Sequence, residues 1–278
     1  MITEEQLQKI QAMQLDMMDD IHAFCLEHGI AYYMIAGTLL GAVRHGGFIP
    51  WDLDIDIAMT RDQYQKFCRL YRQNSDREKY TFHDHTTHPG YTRPHAIISR
   101  NGTALKIKYD ACNKFNENFG IYLDIFPLDN APDDARLQEK QAKALLRLKK
   151  LKKLRIPYSY SHSPLKQWGH RAVSALLGIF VSIDAINRRM EKQMLRYDGQ
   201  PTGFLCSMAS GYSYRKQCMP REFYGSPVLM DFAGRQYYAP EQTIPYLTRL
   251  YGDYMQLPSP EKQRANLEVY ASVSFGDQ

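Results

Sequence analysis

Asp52, Asp54 and Asp56 stand at alternate positions in a segment, residues 51–59, with apolar residues between them. Alternation of period two is the strand pattern. It turns the three carboxylates to one face and Leu53, Ile55 and Ile57 to the other, toward a core. Like charges crowded on a half-buried face repel, and burial penalises each one. A divalent cation relieves both costs, and hard carboxylate oxygens suit Mg²⁺ or Mn²⁺. A solvated edge strand is the plain alternative. Trp51, the apolar alternation, Gly37 and the Gly46-Gly47 pair argue instead for a semi-buried strand with close backbone approaches.

Two further groups belong to the same chemistry. Gly37-Thr38 follows an apolar run, residues 30–36, and opens a short helical segment, residues 39–45. Glycine lets a phosphate approach the backbone, threonine offers a hydroxyl, and a helix N-terminus offers free N–H groups. Arg44 carries the planar donor set that grips phosphate in a bidentate way, with a surface ion pair as its plain alternative. His45 reads equally well as structural. Asp124 lies in a second apolar run, residues 119–126, with Leu123 and Ile125 on the opposite face. A carboxylate from a neighbouring strand completes a metal shell or takes the proton of an acceptor hydroxyl.

The elements that must position these residues are legible in outline. Leu7, Ile10, Met13, Met17, Ile21, Phe24 and His28 recur at three- and four-residue steps, the stripe of a helix of about 24 residues. Thr3 caps it, with Glu4 and Glu5 marking the first turn better than any complete capping box, and Gly29 ends it. Residues 30–36 read as a buried strand and residues 62–71 as an amphipathic helix. Residues 72–102 read as polar loop with short strands. That loop holds His83, His85 and His88, whose spacing suits an exposed segment better than a zinc site. Residues 103–108 and 119–126 read as strands, the second closed by Pro127. Asp129 falls in turn-rich punctuation. A basic helix then spans about residues 134–155, with Arg147, Lys149, Lys150, Lys152, Lys153 and Arg155 around leucines. Such a helix suits an anionic membrane surface or, more plainly, a protein surface with its leucines in the core. Residues 172–186 read as a buried helix. Short strands and turns follow from 202 to 230, and a short helix over 246–251 stops at Gly252.

Bulk properties bound the class. The 278 residues suffice for one substantial α/β domain with a helical addition, and the formal net charge of +5 suits anionic substrates without being a nucleic-acid footprint. Five cysteines, odd in number and without CxxC spacing, predict reduced buried thiols and favour the cytosol. No basic-then-apolar leader opens the chain, and no run of 18 apolar residues predicts a membrane span.

A family resemblance joins these pieces. GTLLGAVRHGGFIPWDLDIDIAM, residues 37–59, resembles the signature of the LicD family, which includes phosphorylcholine transferases and is related to the fukutin-type transferases. GIYLDIFPLD, residues 120–129, is similar to its second block, and YLTRLYGDYMQLPSPEK, residues 246–262, to its C-terminal block. The resemblance implies an α/β (α+β) fold: a nucleotidyltransferase-like mixed sheet flanked by helices, with an added helical region. It divides the chain into a catalytic core with its N-terminal helix (1–130), a basic helical region (131–200) and a C-terminal segment completing the same domain (201–278). By the same resemblance, Gly37 and Thr38 match the phosphate turn, Asp54 and Asp56 the paired metal-binding acids, and Asp124 the further acid. The implied reaction moves a phospho-substituent, phosphorylcholine above all, from a CDP-linked donor to a sugar of teichoic acid, lipopolysaccharide or capsule. A surface or lipid-linked glycan is the expected acceptor, and the expected location is the cytoplasm, with peripheral contact at the inner face of an anionic membrane. Two other readings stand beside it: a nucleotidyltransferase adding a nucleoside monophosphate to a small molecule, and a glycan-binding protein with a degenerate site. Two departures from the pattern are visible. Leu53 replaces an acid in a family run of three, and Pro258-Ser259-Pro260 is followed by Asn266 rather than a histidine.

Overall fold

The computed structural model describes residues 2–107, 119–157, 163–268 and 270–276. The first half of the chain forms α1 (Glu4–Glu27), β1 (Tyr33–Met34), α2 (Ala36–His45), β2 (Asp56–Thr60), α3 (Arg61–Asn74), β3 (Tyr80–His83), β4 (Ala96–Arg100), β5 (Ala104–Ile107) and β6 (Tyr122–Ala131). Three helices follow: α4 (Ala135–Arg155), α5 (Pro164–Phe180) and α6 (Ile183–Met194). The remainder alternates short elements: β7 (Phe204–Cys206), α7 (Tyr214–Gln217), β8 (Cys218–Pro220), α8 (Arg221–Tyr224), β9 (Val228–Phe232), β10 (Arg235–Ala239), α9 (Thr243–Tyr251), α10 (Pro260–Glu268) and β11 (Tyr270–Ser274).

The main sheet runs β1-β2-β6-β4-β3, and β7 pairs with the far half of β6 and with β8. Among the described residues only β2 and β6 pair in parallel; the other pairs are antiparallel. This is the mixed sheet flanked by helices that the resemblance implies. One apolar cluster joins the α1 stripe (Ile10, Met17, Ile21), the sheet interior (Ile57, Ile98, Leu123, Ile125) and α9 (Tyr246, Leu247, Leu250). β9 and β10 form a hairpin, and β11 pairs with β5.

The helix starts are better specified than the sequence suggested. Thr3 and Gln6 close a full capping box: the Thr3 hydroxyl accepts from the Gln6 N–H, and the Gln6 side chain accepts from the Thr3 N–H. The strand expected over 30–36 shrinks to two residues because Ala36 takes φ +47° and begins α2 early. β6 does not stop at Pro127 but continues to Ala131. Pairing with β4 ends at Ile125 and pairing with β7 starts at Asp129. Pro127 falls in the gap between these two partners, where a missing N–H is tolerated. Asp129 is therefore not a turn residue: it is buried on that strand and holds the Arg61 guanidinium at 2.6 Å.

Three further expectations change. His83 is buried, with Nε2 at 2.8 Å from the Ser99 hydroxyl, and His85 pairs with Glu191, so this stretch packs against the body of the protein. Residues 172–186 are not a buried helix. α5 leaves Trp168, Leu176, Ile179 and Phe180 exposed, and of its residues only Ser174 is buried. Four cysteines are free and buried, as expected; Cys112 and Lys108 lie outside the described residues.

Nor does α4 present all its cations outward. Lys149 donates to the Ser210 carbonyl at 2.8 Å, and the buried Lys152 donates to Asn187 Oδ1 at 2.6 Å. Burial pushes the Lys152 ammonium down to about 7 from its usual 10.5. Between those values the unfolded chain binds the extra proton, so this residue makes stability rise with pH. Lys152→Met removes that dependence. The melting temperature of the variant minus that of the wild type should be largest at or below pH 7 and shrink toward pH 10.5. Thermal melts across this range check it; a difference that does not vary with pH contradicts the buried, depressed lysine.

Candidate active site

The parallel β2–β6 pair sets Asp56 directly beside Asp124. The Asp124 N–H donates to the Ile55 carbonyl at 3.0 Å, and the Ile35 N–H donates to the Asp56 carbonyl at 3.1 Å. The regular strand begins only at Asp56, yet the alternation persists ahead of it. Leu53, Ile55 and Ile57 are buried, while Asp54 and Asp56 stay half-buried on the other side. Gln14 on α1 holds the acidic segment to β6: its amide donates to the Leu53 carbonyl at 2.7 Å and to the Tyr122 carbonyl at 3.1 Å. As a result Asp54, Asp56 and Asp124 bring one carboxylate oxygen each within 4.8 Å of the others.

Around this triad the sequence expectations divide. Gly37 lines the cavity above the acids, and a Cβ there would fall 2.8 Å from Asp52 Oδ2. The glycine admits the Asp52 carboxylate, and any side chain would displace it. Thr38 does not line the cavity. It is buried, and its hydroxyl accepts the Asp56 N–H at 2.8 Å, so it positions the acidic strand. Ala36, left-handed at the head of α2, donates its N–H to the Tyr246 hydroxyl at 3.3 Å. That strained conformation costs on the order of 1–3 kcal/mol and lies at the cavity wall. Arg44 reaches the same wall, with Nη1 donating to the Tyr254 carbonyl at 2.8 Å and Nε to His45 Nε2 at 3.0 Å.

The three acids do not share one electrostatic state. Burial and the neighbouring Asp52 and Asp56 raise the Asp54 carboxyl well above its usual range. Burial and Asp124 do the same to Asp56. Burial would raise Asp124 too, but His95 and Arg93 outweigh it and hold it below 3.8. His95 Nε2 lies 2.8 Å and Arg93 Nη1 3.3 Å from Asp124 Oδ1. Burial pushes His95 down, so it acts as a neutral donor from Nε2–H. Arg93 is the charged partner, packed over the Tyr122 ring at 4.5 Å. One guanidinium against three carboxylates leaves excess negative charge at oxygen-only donors. This fits a hard divalent cation, and among the described residues it is the one group of that kind.

The cavity lined by Asp52, Asp54 and Asp56 has a volume of about 880 Å³. Its far wall is aromatic and comes from the C-terminal third: Tyr212, Tyr251, Tyr254 and Tyr270, with Asp253 and Lys262. Tyr212 and Tyr251 meet edge-to-face, their hydroxyls 3.2 Å apart. Sequence reasoning missed this wall. Tyr251, Asp253, Tyr254 and Lys262 lie in the third resemblance block, so a signal existed. Tyr212 had none. Arg93 and His95 were hidden in a segment that read as loop.

A mixed sheet that presses three aspartates together beside a glycine-opened helix, under a large polar cavity, is a metal-assisted transferase site of the nucleotidyltransferase type. Residues 29–168 match the family described as LicD/FKTN/FKRP, nucleotidyltransferase domain, and the chain belongs to that family. It is 28% identical over 270 residues to the lipopolysaccharide cholinephosphotransferase LicD of Haemophilus influenzae, covering 93% of this chain and 94% of that protein. It is 52% identical over 31 residues to the human ribitol 5-phosphate transferase FKRP, 11% of this chain and 6% of that protein. It is 30% identical over 138 residues to an uncharacterised Rickettsia prowazekii protein, 48% of this chain and 47% of that one.

The crowding has a sign that can be measured. A carboxyl raised in the folded state favours folding at low pH, and that contribution is lost as pH rises from 3.8 through the raised value. At neutral pH the metal-free triad therefore opposes folding, and a bound cation should offset it. Mn²⁺ at a hundredfold over its dissociation constant should raise the wild-type melting temperature by about 5 °C or more. Asp54→Asn should melt no lower than the wild type without metal and show little response to Mn²⁺. A variant that melts lower and still responds fully contradicts the crowded triad.

Proposed function

We propose that this protein transfers phosphorylcholine from CDP-choline to a sugar hydroxyl of a cell-surface glycan such as teichoic acid, lipopolysaccharide or capsule. The observation that carries the reading is the pairing of an acidic floor with an aromatic wall in one cavity. A diphosphate fits at the floor. A quaternary ammonium fits against the faces of Tyr and Trp, with a carboxylate such as Asp253 nearby. A ribitol phosphate would gain nothing comparable from such a wall. The cholinephosphotransferase similarity along nearly the whole chain supports the same choice.

Asp54, Asp56 and Asp124 would hold Mg²⁺ or Mn²⁺. The cation, when bound, neutralises the donor diphosphate and the charge developing on the departing CMP. At the head of α2 Gly37 leaves the cavity wall without a side chain, and Arg44 on the same wall offers its remaining guanidinium donors to a phosphate. The acceptor oxygen attacks the phosphorus that bears choline, the bond from that phosphorus to CMP breaks, and the hydroxyl proton passes to the departing phosphate or to water. A loose transition state of this kind asks more of positioning and charge than of a strong base. Asp124, kept ionised by Arg93 and His95, suits a ligand better than a base, whose pKa would lie near the working pH. Thr38 and Gln14 hold the acidic segment in place.

The decisive assay incubates the protein with CDP-choline, other CDP-linked donors and Mg²⁺ or Mn²⁺ in the presence of a surface-glycan acceptor. Release of CMP with choline phosphate on the glycan is expected. A nucleoside monophosphate on the acceptor would instead establish the nucleotidyltransferase reading. Failure to bind both Mn²⁺ and nucleotide would leave the glycan-binding one. Asp54→Asn should lower turnover at least roughly a hundredfold while the protein stays folded, and Tyr251→Ala should raise KM for CDP-choline more than for a donor without a cationic headgroup. Near-normal turnover of Asp54→Asn would sink the scheme.

A further inference from the structure

α5 is built inside out. His170, Ser174 and Gly178, at four-residue steps, form its inner side against the end of α4. His170 Nε2–H donates to the Ile156 carbonyl at 2.8 Å, and the Ser174 hydroxyl donates to the Arg155 carbonyl at 2.5 Å. Arg155 Nε donates to the Val181 carbonyl at 3.0 Å, and its guanidinium lies 2.8 Å from where a Gly178 Cβ would be. The small and polar residues thus face the protein. Leu165, Trp168, Leu176, Ile179 and Phe180 face away from it and are 59–77% exposed. A surface helix of a globular protein has the reverse arrangement.

The charge around this stripe has one sign. Between Glu139 and Asp184 the chain holds ten Lys and Arg and no Asp or Glu. At 100° per residue, Lys166 and Arg171 fall on opposite flanks of the apolar stripe. Lys140, Arg147 and Lys150 are exposed on the adjoining α4. We infer that α5 docks this protein onto an anionic bilayer surface, with its apolar stripe among the acyl-chain boundaries and the flanking cations at the headgroups. A second copy of the chain would bring the same positive field and be repelled. A nucleic acid would match the charge but not the row of large apolar side chains. An anionic membrane matches both. The 17 residues of α5 lie in the interface plane. Among the described residues no single helix is long and apolar enough to cross a bilayer, and the neighbouring α6 keeps Ile183, Ile186 and Met190 buried in the protein. The docking element is thus α5 with the outward cations of α4, not the α4 lysines as a set, because Lys149 and Lys152 turn inward.

The test uses the full chain with vesicles of phosphatidylcholine, alone or mixed with phosphatidylglycerol. Wild type should cosediment with the mixed vesicles and bind neutral ones roughly tenfold less. The triple variant Trp168→Ser, Ile179→Ser, Phe180→Ser should lose at least roughly tenfold in binding to mixed vesicles. Its melting temperature and its response to Mn²⁺ should stay those of the wild type, because none of the three residues touches the core or the triad. Absence of wild-type binding, or equal binding by the triple variant, overturns the inference. So does a wild-type dimer in light scattering that the triple variant converts to monomer, since a second copy would then cover the stripe. None of these outcomes bears on the transferase reading, which stands or falls on donor turnover.

Discussion

The parallel pairing of β2 with β6 puts two carboxylates, Asp56 and Asp124, at the same level of the sheet, and Asp54 arrives one pleat earlier. Nothing in the apolar core asks for this arrangement. It is held against its own repulsion by groups that do little else: the Gln14 amide across Leu53 and Tyr122, the Thr38 hydroxyl on the Asp56 N–H, and the Ile35 N–H on the Asp56 carbonyl. The long N-terminal helix thereby has a functional task besides burying its stripe. The left-handed Ala36 is part of the same compromise, since it lets α2 begin close to the acids.

Charge is also graded across the site. Arg93 and His95 hold one oxygen of Asp124 and favour its ionised form, while Asp54 and Asp56 are raised by burial and by neighbouring acids, with Arg93 offsetting little of this at Asp56. Asp124 would offer a cation a carboxylate whose ionised form is favoured, and Asp54 and Asp56 two whose ionised form burial and mutual repulsion disfavour. The aromatic wall stands across the cavity on a separate part of the chain. The acidic floor and the aromatic wall can thus vary independently in sequence.

The basic region shows the opposite relation between sequence and packing. α4 draws two of its lysines inward to satisfy the Ser210 carbonyl and the Asn187 amide, and α5 pushes its apolar residues out. Composition counts the same residues in either case. Which side of a helix meets the protein is decided by the partner it packs on, here the part-buried carbonyls of Arg155 and Ile156, which accept from Ser174 and His170.

By itself the sequence determined the acidic strand, its facing, the α1 stripe, the long α4 and the family, because period-two and period-3.6 patterns and short motifs are local properties of the chain. It also named Asp54, Asp56 and Asp124, which the fold gathers into one cluster. Only the tertiary structure decided what surrounds them. Thr38 serves the strand, Arg93 and His95 fasten Asp124, Asp129 is a buried partner of Arg61, and Tyr212 and Tyr251 close the cavity from residues far along the chain. Each of these rests on contacts between segments distant in sequence, where spacing carries no information and the cost of leaving a buried polar group unpaired selects the partner.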